Sequence, residues 1–210
     1  MIKLVSLSLL LISFALDAQR KDVLPDIPFN ATDAKSKLAY GTATIKGIAV
    51  TREYTDANRG RNPLNSFLGV DVTGTKHLAP PGTVVLLFPV TDYFKKYYQL
   101  RKKYRKSRKY VAVLSTEAFS YRIETVVGKN GEFTFERMKP GEYYIEAVFN
   151  YRGTGLGYEQ VGRTDYYNGY GHYKGSDPIY KSYHYNYTGS AVESAFVTIS
   201  KDGEIKNVKL

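Results

Sequence analysis

A chain of 210 residues with a formal charge of +10 and no cysteine has no disulfides, no Cys-ligated zinc, no thiol nucleophile and no N-terminal lipid-modified cysteine. Its length is about one domain's worth, enough to bury roughly 70% of the unfolded surface, so cross-links are not needed. The positive charge favours anionic partners such as acidic glycans, lipopolysaccharide or nucleic acid.

The chain opens on a targeting signal. Met1-Ile-Lys3 is a short basic start, and Leu4 to Leu16 is an apolar run broken only by serines. The run falls short of the ~20 apolar residues a membrane span needs and fits a signal-peptide core. Residues 1–18 are therefore expected to be removed before Gln19, leaving an exported chain without a transmembrane segment. Export makes nucleic acid the weakest of the anionic partners, and none is expected. Residues 19–37 are polar and mixed, with Pro25 and Pro28, and read as a linker or loosely docked arm. Asn30-Ala-Thr32 is formally a glycosylation sequon.

Residues 38–210 carry β patterning. Tyr40 to Thr51 reads as a strand. Arg52 to Lys76 reads as a loop, with a short strand at Phe67 to Val72. Ala79-Pro-Pro-Gly82 makes a turn, and Thr83 to Phe88 is almost continuously apolar, as in a strand buried on both faces or under a helix. Residues 91–109 break the pattern. Thr91 or Asp92 can cap a helix, and Tyr93, Tyr97, Leu100 and Tyr104 recur on one helical face. Nine cations fill the rest, among them Lys102, Lys103, Arg105 and Lys106, with no acid from Tyr93 through Ser115. Tyr110 to Leu114 and Ala118 to Val127 return to β character.

The strongest signal follows. Lys129-Asn-Gly131 supplies a turn. Phe133 and Phe135 alternate with polar residues, Pro140-Gly141 turns again, and Tyr143, Ile145, Ala147 and Phe149 alternate in a further strand. Residues 150–190 hold ten of the 20 tyrosines and many glycines, and read as a long aromatic loop or a weak hairpin. Val192 to Ser200 and Glu204 to Leu210 flank Asp202-Gly203 as a closing hairpin. The sum is an all-β protein of seven or eight strands with one inserted basic amphipathic helix.

Gly41 to Val50, Pro81 to Leu87, Val127 to Phe135 and Met138 to Ala147 resemble, in order, the pieces of the carboxypeptidase regulatory-like domain. That family belongs to the transthyretin-like (prealbumin-like) Greek-key β-sandwiches. The resemblance covers roughly Tyr40 to Phe149. It implies a binding or spacing module of exported bacterial proteins and transfers no catalytic residue. The basic helix and the tyrosine segment lie outside the family pattern.

Those two segments hold the candidate sites. The cations Lys102, Lys103, Arg105 and Lys106 offer an anion-binding face; the alternative is a solvated face that keeps the protein soluble. Tyr166, Tyr167, Tyr170, Tyr173, Tyr183 and Tyr185 offer flat apolar area with a hydroxyl, suited to sugars or proteins; the alternative is a loop packing its own rings on the sandwich. An enzyme is the least favoured class. His172 and His184 lack the His-x-His pattern of the intradiol dioxygenases that share the fold, and Tyr151-Arg-Gly153 lacks the hydroxyisourate hydrolase ending. No catalytic residue, metal or cofactor is expected. The reading is a non-catalytic envelope module, periplasmic or at the cell surface, that binds an envelope protein or an anionic glycan or lipopolysaccharide. The second is a structural or assembly component.

Overall fold

The computed structural model describes residues 20–53 and 74–210. The leader and the strand expected at 67–72 lie outside the described residues. The body is a sandwich of two sheets. One has four strands in the order β10-β9-β5-β7: Tyr173–Ile199, Gly141–Tyr167, Val84–Pro89 and Ile123–Val126. The other has three, β11-β2-β8: Ile205–Lys209, Ala43–Ile48 and Glu132–Met138. Two small pairs complete it, β3 (Val50–Glu53) with β4 (Thr75–Leu78), and β1 (Lys21–Val23) parallel to β6 (Tyr110–Ala112).

The inner faces make one core. Ile45 of β2, Val85 and Leu87 of β5, Phe133 and Phe135 of β8, Tyr143 and Ile145 of β9, and Val197 and Ile199 of β10 all pack into it. Fully burying such a side chain contributes roughly 1.5–3 kcal/mol. The period-two alternation in β8 and β9 therefore points inward as expected, and Gly131 takes the positive φ its turn requires.

The apolar run of β5 is covered on both sides. Val85 and Leu87 face the sandwich core, while Leu86 and Phe88 face outward with Val90 and Tyr144. Helix α2 (Asp92–Tyr104) lies on this outer face and packs Phe94, Tyr97 and Tyr98 against it. Thr91 caps the helix, its hydroxyl accepting from the Phe94 amide at 3.1 Å.

Several expectations need correcting. The basic helix ends at Tyr104, not at residue 109. Ser107 stops it, because its Oγ accepts from the amides of Lys109 and Tyr110 at 3.2 and 3.1 Å and turns the chain into β6. There are three helices among the described residues rather than one. Helix α1 (Ala31–Lys37) and β1 convert the supposed arm into docked structure. Asn30, the sequon residue, caps α1 by accepting from the Asp33 amide at 3.0 Å. Phe29 packs on Tyr93 and Tyr121, with centroids 5.4 and 5.3 Å away. Helix α3 (Thr116–Ser120) replaces the first half of the strand expected at Ala118 to Val127, because Ser115 caps it through the Ala118 amide.

The strand expected from Tyr40 to Thr51 divides at Ala49 into β2 and β3, which join different sheets. The expected loop from Arg52 to Lys76 begins and ends as strand, Arg52 pairing with Lys76. The closing hairpin is not a hairpin. Gly203, with φ +70°, makes the turn, but it carries the chain from the four-stranded sheet to the other, where β11 pairs parallel with β2.

The largest correction concerns residues 150–190. Of the two readings, a long loop or a weak hairpin, the structure takes the second, and the hairpin is long and fully paired rather than weak. Strands β9 and β10 are each 27 residues long and pair with each other throughout, with register shifts at Tyr173/Gly175 and Ile179/Tyr180. Strand β5 pairs with β9 only from Tyr143 to Ala147. Beyond that, a two-stranded ribbon continues for up to ~65 Å at the usual strand rise. It closes in a turn where Asn168 Oδ1 accepts from the amides of Tyr170 and His172.

Candidate binding surface

The register of the ribbon places four tyrosines of one face opposite glycines. Tyr151 faces Gly189, Tyr187 faces Gly153, Tyr185 faces Gly155 and Tyr183 faces Gly157. In each pair the phenol end lies over the glycine, in the space a Cβ would need. Any larger residue there would push the ring away. Glycine inside a strand ordinarily weakens it, because it packs nothing and orders at high entropic cost. Here the ring across the ribbon supplies the missing cover, the arrangement known as aromatic rescue.

The result is a ladder. One ring face covers the backbone and the other looks outward, so Tyr183 and Tyr185 remain 49% and 47% exposed. Neighbouring rings follow at 6.2 Å (Tyr183 to Tyr185) and 6.0 Å (Tyr185 to Tyr187), each tilted about as much from the next. Eight consecutive positions of this face, four on each strand, are tyrosine or glycine alone.

Polar groups anchor the base of the ladder. The Tyr187 phenol donates to the Glu53 carboxylate. The other Glu53 oxygen meets His77 Nε2 at 3.0 Å. The His77 ring stacks on Tyr151 with centroids 4.4 Å apart. Desolvation, and then the Glu53 charge, raises the Tyr151 phenol above its ordinary pKa. The antiparallel pair β3-β4 therefore props the ladder where it leaves the body.

The six tyrosines singled out from the sequence divide into two groups. Tyr183 and Tyr185 are ladder rungs. Tyr166, Tyr167, Tyr170 and Tyr173 lie toward the tip. Tyr167 and Tyr173 pair across the strands at 5.9 Å, Tyr166 donates to Asp177 at 2.9 Å, and Tyr170 projects from the turn, 90% exposed. Tyr151 and Tyr187 complete the ladder and were missed. Their signal was the Gly-x-Gly-x-Gly of residues 153–157 facing Tyr-x-Tyr-x-Tyr of residues 183–187. His172 sits at the tip and His184 on β10, ~40 Å apart along the ribbon, too far to share an ion.

The basic segment is also divided. Arg101 donates to the Tyr144 hydroxyl at 2.8 Å and to the Glu146 carboxylate, and Tyr144 donates to Glu146 at 2.7 Å. Lys95 and Lys96 meet Asp92 and Asp26 at 3.5 and 3.3 Å. Lys102 and Lys103 project from the last turn over the rings of Tyr98 and Tyr104. Arg105 and Lys106 lie just past the helix end and are exposed. These four have no carboxylate partner among the described residues. The helix terminus itself offsets part of their mutual repulsion, since its free carbonyls favour cations. The missing acids are thus weaker evidence for an anionic ligand than the sequence suggests.

No protein-family model matches the chain, and no curated protein matches it in sequence. Among solved structures it is similar to a crystal structure from Pseudomonas aeruginosa described as a "putative carbohydrate binding protein". The two share 19% identity at a TM-score of 0.51, over 90% of this chain and 99% of the other. At that identity the likeness concerns the fold: an all-β sandwich. Among the described residues no helix is long and apolar enough to cross a membrane.

Proposed function

We propose that the protein is an exported, non-catalytic module of the bacterial cell envelope that holds a glycan on its tyrosine ladder. One observation carries the reading: Tyr183 and Tyr185 each cover a glycine with one ring face and leave the other open. Sugars present apolar C–H faces that pack on such rings, and the phenol hydroxyls can meet the hydroxyls at the rim. The similar Pseudomonas aeruginosa structure, described in terms of carbohydrate binding, is consistent with it. The leader composition supports export. The test is retention on glycan-bearing cell-wall material. Tyr183→Thr with Tyr185→Thr, which keep strand propensity, should abolish retention, while Tyr170→Ser at the tip should not. Equal retention by all three proteins would reject the reading.

A second surface has its own observation. Lys102, Lys103, Arg105 and Lys106 cluster at the end of α2, and the pairing of β1 with β6 brings Lys21 beside Tyr110 and next to Lys109. This patch suits an acidic envelope component such as lipopolysaccharide.

A further inference from the structure

Resting on the glycan reading of the ladder, we infer that its ligand is a neutral, linear polysaccharide laid along the ribbon, with one sugar per tyrosine. Two separate features point there.

The first is geometry. The rings of Tyr183, Tyr185 and Tyr187 repeat every second residue of one strand, at 6.2 and 6.0 Å, in a single row. A row of this kind matches a repeating partner, and a sugar ring in an extended chain has a comparable repeat. A branched or compact ligand would touch one rung and gain nothing from the others. The row runs lengthwise along the strand, which suits an internal stretch of a polymer.

The second is charge. The chain carries +10 overall, yet residues 150–190 hold Arg152, Arg163, Lys174 and Lys181 against Glu159, Asp165 and Asp177. The ribbon is therefore close to neutral. On the ladder face, charges occur only beyond the rungs: Glu159 faces Lys181 across the strands, Asp177 lies farther toward the tip opposite Thr164, and the Glu53 carboxylate sits at the base on the Tyr187 phenol and His77. Nothing along the rungs would neutralise a carboxylate or sulfate on each sugar. The excess cations lie on the body, near the end of α2. The acidic glycan expected from the overall charge does not fit the ladder; it fits that other surface.

Calorimetric titration of the full mature chain tests the inference. The probes are neutral β-linked gluco-, manno- and xylo-oligosaccharides from monomer to hexamer, with oligogalacturonides of matching length as the acidic series. Each added neutral sugar should tighten binding about three- to tenfold until the rungs are filled, as expected for one aromatic contact each. Raising the salt should leave that affinity unchanged, because screening acts on charges. Tyr185→Thr should flatten the length dependence and Tyr185→Phe should preserve it, which separates stacking from a folding defect. A neutral series whose affinity ignores length, or an acidic series that binds more tightly through Tyr183 and Tyr185, would overturn the inference while leaving the ladder a glycan site. Binding by no sugar of either series in a Tyr183- and Tyr185-dependent way would overturn both.

Discussion

Tyr185 lies flat across Gly155, and its ring occupies the place where a side chain on that glycine would begin. The two residues are 30 positions apart, and neither makes sense alone. An exposed tyrosine in a strand is ordinary, and a glycine there is a weakness. Together they form a rung that is smooth, rigid and open on one side.

Replacing that glycine should be worse than replacing the tyrosine. Gly155→Val has the better β propensity, but its side chain enters the ring's space and must lift Tyr185. Faster amide exchange is expected along residues 150–160 and 180–190, with the sandwich core unchanged. The chain has no tryptophan, so near-ultraviolet circular dichroism reports the displaced tyrosines directly. Unaltered exchange and dichroism would mean that the ring does not bear on the glycine.

Glu146 holds Arg101 and Tyr144 together beneath α2. Glu146→Gln keeps the shape and removes the charge. It should cost about 1–3 kcal/mol in urea unfolding, since it leaves a partly buried guanidinium short of its partner. Arg101→Met should cost less, because the methionine restores apolar packing against Tyr97 and Tyr144.

Alkaline pH should loosen the same region. Burial comes first among the causes that raise the phenol pKa values of Tyr97, Tyr143 and Tyr144. Their folded values lie above the unfolded value near ~10. Stability from these groups is therefore complete below that pH and falls above it, as the unfolded chain releases phenolic protons that the folded chain keeps. Phenolate absorbance from these three should rise only in step with loss of structure. Complete ionisation of Tyr97, Tyr143 and Tyr144 while the fold persists would contradict this.

The basic patch makes a separate prediction. Changing Lys102, Lys103, Arg105 and Lys106 to Gln should shift elution from immobilised heparin to lower salt. Binding to neutral oligosaccharides should not change. Loss of both together would mean that ladder and patch form one site.

The scaffold was legible because its signals are local. Phe133 and Phe135 alternate within one strand, and Lys129-Asn-Gly131 and Pro140-Gly141 declare their turns in adjacent residues. The short helix α3 escaped notice because a single Ser115 cap decides it against β-like neighbours. Asp202-Gly203 announced a turn correctly, but a turn does not say which sheet receives the next strand. The ladder was half legible. Tyr183 and Tyr185 stood out as aromatic residues, yet the glycines opposite them read as looseness, because cross-strand complementarity exists only once the register is known.

The ribbon has one more property, which follows from its pairing beyond the last hydrogen bond of β5 at Ala147. Inserting two residues in each strand, a tyrosine step in one and a glycine step in the other, would add a rung without touching the sandwich. The ladder thus behaves as a ruler whose length can change independently of the body that carries it, and the size of the ligand it measures can drift while the fold stays fixed.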